Sequence, residues 1–271
     1  MTTVRTARLT IPALGFGTWE LEDVERNVRH ALDVGYRHVD TAQAYRNEDE
    51  VGAALAASGI DRSEVFVTTK VWRSKAAADD VATSTEKSLR RLQLDHLDLL
   101  LLHWPSDDVA PLGETMEAMR QLQERELTRH IGVSNFPTAR LAEALEHAPI
   151  VTDQVEHHPD LSVDAIREVA HAQDVAITAY SPLARGAVLQ DETIQEVAAE
   201  HDATPAQIAL AFLLAQRDTV VIPKSNTPER IEENLAAGDL QLTDDEVERI
   251  TTLARGYREV DPPFAPTWDA A

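Results

Sequence analysis

The sequence predicts a (β/α)8 barrel, an α/β fold built on an eight-stranded parallel sheet. Eight short apolar segments recur along the chain, and an amphipathic stretch follows nearly all of them. The 271 residues also match the ~250 that such a barrel usually takes as one domain. A doubly wound open sheet is the alternative that the same alternation allows. We expect residues 1–271 to form a single barrel domain.

The predicted strands are short runs rich in β-branched residues or leucine, and most of them end at a polar residue. They cover residues 13–19, 36–40, 65–70, 97–103, 130–135, 150–156, 175–181 and 220–225. Between them, apolar residues recur at helical spacing, as Leu21, Val24, Val28 and Leu32 do in residues 21–33. The same spacing predicts helices over residues 49–57, 79–92, 114–126, 138–147, 163–173 and 229–237.

Local signals predict the remaining elements. Thr204 followed by Pro205 is typical of a helix N-terminus, and the apolar run behind it predicts a buried helix. A last helix is expected to begin near Thr243. The alternating residues 4–12 predict a small N-terminal hairpin outside the barrel, and the proline-rich C-terminal tail predicts irregular structure.

The charge balance excludes several classes of partner. Aspartate and glutamate number 47 against 25 lysines and arginines, and a net charge of −22 repels nucleic acid and anionic membranes. Only four of the basic residues are lysines, which favours adaptation to concentrated salt, as in a halophile, over a merely acidic protein. The absence of cysteine excludes disulfides and thiolate nucleophiles. No apolar run approaches the ~20 residues of a membrane span, and no apolar signal core is present, so we expect a soluble cytoplasmic protein.

Functional side chains stand where the predicted strands end, at the mouth where barrel enzymes carry their chemistry. Asp40, Lys70 and His103 end three consecutive strands, and Tyr45 lies five residues beyond Asp40. Taken singly, the aspartate is a helix cap, the lysine a solvated charge and the histidine a packing residue. Together they predict a proton-transfer site. We expect Asp40 to hold Lys70, the ammonium to lower the pKa of Tyr45 below ~10, and a neutral His103 to orient a carbonyl oxygen.

Eight motifs, in one order and spacing, resemble the aldo-keto reductase family. They are GFGTW, GYRHVDTAQAY, VFVTTKVW, LDLLLLHWP, HIGVSNF, DQVEHHP, AYSPLARG and VIPKSNTPERIEENL. The resemblance spans nearly the whole chain, and AYSPLARG with the FAPTWD tail is similar to the bacterial diketogluconate-reductase branch. It implies a catalytic tetrad of Asp40, Tyr45, Lys70 and His103, with Tyr45 as general acid and hydride supplied by a nicotinamide. It also implies a monomer.

The resemblance further implies a set of cofactor-binding residues. They are Thr18, Ser134, Asn135, Gln154, Tyr180, Ser181, Leu183, Lys224, Ser225, Arg230, Glu233 and Asn234. The family pattern places the 134, 135 and 154 side chains at the carboxamide and the 180 ring under the nicotinamide. Residues 181 and 183 fall at the pyrophosphate, 224, 225 and 230 at the adenosine 2′-phosphate, and 233 and 234 at the adenine.

The residues themselves also favour a phosphate site. The chain has no G-x-G-x-x-G fingerprint, so no Rossmann site is expected. The stretch KSNTPER places Lys224 and a hydroxyl before a helix opened by Thr227-Pro228, with Arg230 in its first turn. A helix N-terminus flanked by cations suits a phosphate, although a solvated charged turn is the plain alternative. NADPH is therefore predicted over NADH.

An aromatic substrate pocket is predicted beside the tetrad. Trp19, Trp72 and Trp104 each follow a strand end at the mouth, and Phe264 and Trp268 in the tail are expected to close one side. The loop after Trp104 and the tail are short. This predicts an open pocket for small, polar carbonyl compounds.

Two positions depart from the family pattern. Asp153 stands where asparagine is frequent, and His157 stands where tyrosine or an apolar residue is frequent. His157 and His158 could suggest a metal site, but adjacent residues of a strand face opposite ways, so no metal is expected.

The expected function is NADPH-dependent reduction of small aldehydes, 2-oxoaldehydes or keto-sugars to alcohols. A redox sensor or regulatory subunit of the same fold, binding NADPH with little turnover, is the alternative that the complete tetrad disfavours. A Schiff-base aldolase using Lys70 is a second alternative. Asp40 and Tyr45 beside that lysine, together with KSNTPER, argue against the aldolase.

Overall fold

The structure, a computed structural model, describes residues 2–269. Its strands in chain order are β1 (Thr3–Arg5), β2 (Thr10–Pro12), β3 (Phe16–Gly17), β4 (His38–Asp40), β5 (Phe66–Val71), β6 (Leu97–Leu102), β7 (Thr128–Ser134), β8 (Ile150–Glu156), β9 (Ala176–Tyr180) and β10 (Thr219–Val221). Strands β3 to β10 form a parallel eight-stranded sheet in which chain neighbours are also sheet neighbours. Within the described residues, no helix is both long and apolar enough to cross a bilayer.

The sheet closes on itself between its first and last strands. Leu14 and Val221 form a parallel bridge; Gly15 N donates to Val221 O at 2.9 Å, and Val221 N donates to Ala13 O at 2.8 Å. A Cβ on Gly17 would lie only 3.0 Å from a neighbouring backbone oxygen, so glycine allows the two strands to approach here. Closure confirms the (β/α)8 prediction and excludes the open-sheet alternative.

Helices surround the barrel. They are α1 (Val24–Val34), α2 (Glu48–Ala57), α3 (Ala78–Leu92), α4 (Leu112–Glu124), α5 (Thr138–His147), α6 (Asp164–Ala172), α7 (Glu192–Glu200), α8 (Pro205–Leu214), α9 (Pro228–Ala236) and α10 (Asp244–Thr251). The predicted helix over 21–33 began too early, because Asp23 adopts a left-handed conformation with φ 44°. Capping boxes begin α8 at Thr204 and α10 at Thr243, where helix starts were expected.

Helix α7 was missed by the sequence prediction. Its signals are present: the Asp191 side chain accepts a hydrogen bond from Thr193 N at 2.9 Å, and Ile194, Val197 and Ala198 form a buried face. Only three apolar residues form this face in a helix of nine residues, so the helical periodicity in the sequence is weak. The connection between β9 and β10 therefore holds two helices, α7 and α8.

The N-terminal hairpin closes the amino end of the barrel. Strands β1 and β2 pair antiparallel, as predicted. Val4, Leu9 and Ile11 pack with Leu99 and Leu101 from inside the barrel. Burial of these apolar side chains stabilises the amino end of the barrel, and the polar strand termini lie at the opposite, carboxyl end.

A buried carboxylate lies at the start of β6. Asp98 Oδ2 accepts hydrogen bonds from Arg62 Nη2 at 2.7 Å and Val67 N at 2.9 Å, and Oδ1 accepts from Arg129 Nη1 at 2.9 Å. The residue is 2% exposed and belongs to the amino end of its strand. Its partners offset the cost of burying the charge, so its role is structural.

Candidate active site

Four polar side chains meet at the carboxyl mouth. Asp40 ends β4, Lys70 lies near the end of β5, and His103 directly follows β6. Tyr45 ends a 3-10 turn over Gln43–Tyr45, just after β4. Each side chain reaches the same place because parallel strands end on one rim of the barrel.

Lys70 is the centre of this group and is fully buried. Its ammonium forms an ion pair with Asp40 Oδ1 and donates to Thr41 O at 2.9 Å. The Tyr45 hydroxyl lies 3.3 Å from Lys70 Nζ. The carboxylate and the carbonyl compensate the buried charge, and the remaining donor direction serves the phenol.

The pKa of Tyr45 is raised well above its ordinary value by burial and, secondarily, by the Asp40 carboxylate. The expected lowering by Lys70 is therefore wrong for this site. Burial also lowers the pKa of Lys70, while the Asp40 carboxylate acts in the opposite direction. Desolvation, and not the charge of the lysine, therefore sets the direction of the Tyr45 pKa shift. The phenol stays protonated at neutral pH, which is the state that a proton donor needs.

His103 faces Tyr45 from the next strand. The two rings meet edge to face with centroids 5.8 Å apart. Burial first, and the Lys70 ammonium second, lower the pKa of His103 well below its ordinary value. The imidazole is therefore neutral at neutral pH and can donate one hydrogen bond to an oxygen beside the phenol.

Asn47 and Glu48 support this group, and the sequence analysis missed both. Asn47 Oδ1 accepts from Thr41 Oγ1 at 2.9 Å, and its Nδ2 donates to Thr18 O at 2.9 Å. Glu48 Oε1 accepts from Thr69 Oγ1, the neighbour of Lys70, at 2.7 Å. Both are buried, although they follow an exposed turn. A buried polar side chain inside a charged run, RNEDE, carries no pattern that separates it from a solvated one.

A second cluster lies on β7, β8 and β9, beside the tetrad. Asn135 Nδ2 donates to His103 O at 2.9 Å, while its Oδ1 accepts from the Tyr180 hydroxyl at 2.7 Å. Ser134 Oγ donates to Gln154 O at 2.7 Å. These are four of the residues assigned to the cofactor, and the structure brings them together.

Gln154 joins the two clusters. Its Nε2 donates to Asp40 Oδ2 at 2.8 Å, across 114 residues of sequence. Asp40 thus accepts from Lys70 on one oxygen and from Gln154 on the other. The carboxylate has its position determined from both sides.

The loop between β10 and α9 forms the cationic end. Ser225 Oγ accepts from Thr227 N at 3.2 Å, which closes a turn directly before the helix. Lys224 Nζ donates to Glu20 O at 3.0 Å, and Arg230 lies in the first turn of α9. Two cations, a hydroxyl and free helix N–H groups suit a phosphate.

Glu233 and Asn234 continue the same wall along α9. Thr204 Oγ1 donates to Glu233 Oε1 at 2.5 Å, so the start of α8 holds this carboxylate. Gln190, at the end of the 3-10 segment Ala184–Gln190, and Gln195 of α7 also line the groove, and the sequence analysis missed both. The loop after β9 carries Ser181 and Leu183 along this wall.

One groove, of about 1050 Å³, connects these parts. It is lined by Asp40, Tyr45, His103, Thr18, Ser134, Asn135, Gln154, Tyr180, Ser181, Leu183, Lys224, Ser225, Arg230, Glu233, Asn234, Trp19, Trp72 and Trp104. Two predicted residues are outside the lining: Lys70, which lies behind Asp40 and Tyr45, and Trp268 of the tail. The Arg185 guanidinium, missed from the sequence, lies 4.9 Å from the Trp19 ring centroid across the groove.

Aromatic rings form the wall at the tetrad end. Trp72 lies 5.3 Å from His103, centroid to centroid. Phe264 from the tail contacts both Trp72, at 5.8 Å, and Trp104, at 5.5 Å. Trp268 contacts Trp104 at 6.4 Å. Edge-to-face packing of this kind builds a rigid, mostly apolar wall.

The two departures from the family pattern are buried. Asp153 has Phe136 N as a distant donor at 3.5 Å, and burial raises its pKa well above the ordinary value. His157 bonds Leu161 O at 2.8 Å and Gln216 Oε1 at 2.7 Å. His158 instead bonds Glu156 at 3.0 Å, so the adjacent histidines have separate partners. Among residues 2–269 no three potential metal ligands gather at one point.

A closed barrel with four acid–base groups at its mouth, and a groove leading to a cationic loop, defines an acid–base barrel enzyme. The model of the Aldo/keto reductase family matches residues 13–255. The chain belongs to this family and is an oxidoreductase. The resemblance seen in the sequence motifs is confirmed.

Relatives and solved structures agree with this. Methylglyoxal reductase DkgB of Salmonella typhimurium is 41% identical over 268 residues, which is 96% of this chain and 100% of that protein. An aldo-keto reductase of Mycolicibacterium smegmatis is 40% identical, covering 92% of each chain. A crystal structure of a proposed 2,5-diketo-D-gluconic acid reductase B has a TM-score of 0.97 at 43% identity, covering 100% of this chain and 98% of that one.

Proposed function

We propose that the protein reduces small aldehydes, 2-oxoaldehydes or keto-sugars to alcohols with NADPH. The observation that carries this proposal is the Tyr45 hydroxyl, 3.3 Å from Lys70 Nζ and beside His103, at the end of a groove that leads to Lys224 and Arg230. A proton donor and a phosphate-binding loop on one groove are what carbonyl reduction with a nicotinamide dinucleotide requires.

The tetrad divides the work of proton transfer. The Tyr45 hydroxyl gives its proton to the carbonyl oxygen as negative charge develops there. Lys70 then stabilises the phenolate, and Asp40 keeps the lysine in place from behind. The neutral imidazole of His103 orients the carbonyl oxygen toward the phenol.

The groove residues fit a phosphorylated nicotinamide cofactor. Asn135 and Gln154 present amide groups where a carboxamide would bind, and the Tyr180 ring lies beside them. Lys224 and Arg230 meet the phosphate requirement at the other end. The bound nicotinamide supplies the hydride.

The substrate end favours small carbonyl compounds. Trp19, Trp72 and Trp104 leave an open, mostly apolar pocket, and the relatives named as methylglyoxal and diketogluconate reductases act on small carbonyls by their names. We further propose that the protein is a cytoplasmic monomer, as the family resemblance implies. It binds no nucleic acid in this proposal, because its net charge of −22 repels polyanions.

The test is NADPH oxidation by the purified protein at low and high KCl, with methylglyoxal, an aromatic aldehyde, a pentose and a diketogluconate. We expect turnover of at least one of them. NADPH binding without turnover of any carbonyl at any salt concentration would instead support the sensor hypothesis. Trapping of Lys70 with borohydride and substrate would support the aldolase.

A further inference from the structure

The C-terminal tail folds back from α10 over the carboxyl mouth of the barrel. Its first contact is with Asp160, in the loop after β8, whose carbonyl accepts from Arg255 N at 2.9 Å and Gly256 N at 3.1 Å. Val260, Pro262 and Phe264 then line the groove. The tail has no helix or strand in residues 252–269, so its position depends on side chains that anchor it.

Glu156 is the main anchor. It is the last residue of β8, two positions beyond Gln154, and its side chain is fully buried. Oε1 accepts from Glu259 N at 2.7 Å, and Oε2 accepts from Val260 N at 2.9 Å. His158 Nε2 lies 3.0 Å from Oε1 on the other side. One carboxylate thus accepts from two consecutive backbone N–H groups of the tail, one on each oxygen.

Glu156 remains ionised although its side chain is buried. Burial raises the pKa of its carboxyl, but the hydrogen bonds from His158 and from the 259 and 260 amides outweigh burial and hold it below the ordinary value. The carboxylate is therefore ionised at neutral pH. Hydrogen bonds to an ionised acceptor are the stronger kind.

Arg258 connects this anchor to the aromatic wall. Its Nη1 lies 4.0 Å from Glu156 Oε2, and its guanidinium lies 3.6 Å from the ring centroid of Trp268. Trp268 in turn contacts Trp104. At the next residue, Asp269 accepts from Thr138 N at 2.9 Å and Thr138 Oγ1 at 2.6 Å at the start of α5. The carboxylate, the cation and the aromatic ring form a continuous line of contacts from β8 to the substrate wall.

We propose that Glu156 is a positioning residue for substrate selection: it holds the tail so that Phe264 and Trp268 complete the wall. This inference rests on the proposed reductase function. Carbonyl compounds large enough to contact the wall depend on Glu156. A compound as small as methylglyoxal reaches the tetrad side chains without contacting Phe264 or Trp268, so its reduction does not depend on Glu156.

The experiment compares Glu156→Gln with Asp98→Asn. Both variants replace a buried carboxylate that accepts a backbone N–H, and both are isosteric, but Asp98 lies at the opposite end of the barrel. Glutamine must point its NH2 at the 259 or the 260 amide, so one tail anchor is lost. Steady-state kinetics are measured with benzaldehyde and with methylglyoxal, together with the Kd for NADPH.

For Glu156→Gln we expect kcat/KM for benzaldehyde to fall about tenfold, mainly through KM, with methylglyoxal changed less than about twofold. Asp98→Asn is expected to affect the two substrates alike, and NADPH affinity stays the same in both variants. An equal loss for both substrates in Glu156→Gln would overturn the proposal, because it would indicate a general structural role.

A second measurement does not depend on turnover. Limited trypsinolysis followed by mass spectrometry reports cleavage after Arg255 or Arg258 in the tail. We expect faster cleavage there in Glu156→Gln than in wild type or in Asp98→Asn, and unchanged cleavage would contradict the anchoring role. If wild type reduces no carbonyl, the reductase proposal fails while this measurement still tests the anchor.

Discussion

Replacing Tyr45 with phenylalanine separates catalysis from folding. The change removes one hydroxyl, which lies 3.3 Å from Lys70 Nζ and makes a long hydrogen bond. A hydrogen bond of this kind contributes about 0.5–1.5 kcal/mol to stability. Loss of a general acid slows the reaction about 10²–10⁴-fold, which corresponds to roughly 3–5 kcal/mol of the activation barrier. Activity should therefore fall far more than stability.

Tyr36→Phe is the matched control. The Tyr36 hydroxyl is buried and donates to Ile231 O at 3.2 Å, and the residue does not line the groove. Its loss should cost a similar amount of stability and leave turnover intact. The assay is NADPH oxidation with methylglyoxal, alongside NADPH titration and urea unfolding. Turnover of Tyr45→Phe within about threefold of wild type would refute the acid assignment.

Three further predictions follow from charge. Lys224→Ala with Arg230→Ala should raise the Kd for NADPH about 10- to 100-fold and that for NADH about threefold or less, measured by fluorescence titration. The pKa values of His38 and His157 are lowered to about 4, chiefly by burial, while the unfolded chain titrates near ~6.5. As pH falls below ~6.5, each histidine binds a proton in the unfolded chain before it does so in the folded one, and this destabilises the fold until pH reaches about 4. Urea unfolding should therefore show a loss of about 2 kcal/mol for each histidine between pH 7 and 5. Thermal unfolding should shift upward in molar KCl, because salt screens the repulsion within a chain of net charge −22.

Each of these has a control. Lys75→Ala with Arg217→Ala removes the same charge outside the groove, and equal losses for NADPH and NADH in the test variant would contradict the 2′-phosphate role. His157→Gln should show a smaller loss between pH 7 and 5, and equal wild-type stability at both values would oppose the histidine argument. A melting temperature that falls in KCl would contradict the high-salt prediction.

Local sequence patterns were sufficient for most of the elements. The nine helices that the sequence predicted are all present, and the capping boxes at Thr204 and Thr243 illustrate the local signals behind them. The weak stripe of α7 was too narrow to give such a signal, and Asp23 began α1 later than its periodicity indicated. Boundaries and short helices depend on backbone conformations that periodicity does not encode.

The residues of the site also fall into those that the sequence predicts and those that it does not. Asp40, Lys70 and His103 were recognisable because each ends a strand, and strand ends in a parallel barrel share one rim. Asn47 and Glu48 were not recognisable, because they lie in a charged run and find their partners, Thr18 after β3 and Thr69 in β5, only in the folded barrel.

The sequence by itself determined the order of strands and helices, the acidic surface and the polar residues at the strand ends, because these depend on neighbours within a few positions. Tertiary structure decided the rest. Barrel closure brings Gln154 to Asp40 across 114 residues, and it brings the tail to Glu156 across 103. It also reverses the expected direction of the Tyr45 pKa, since desolvation depends on everything that surrounds the phenol in space and on little that precedes it in the chain.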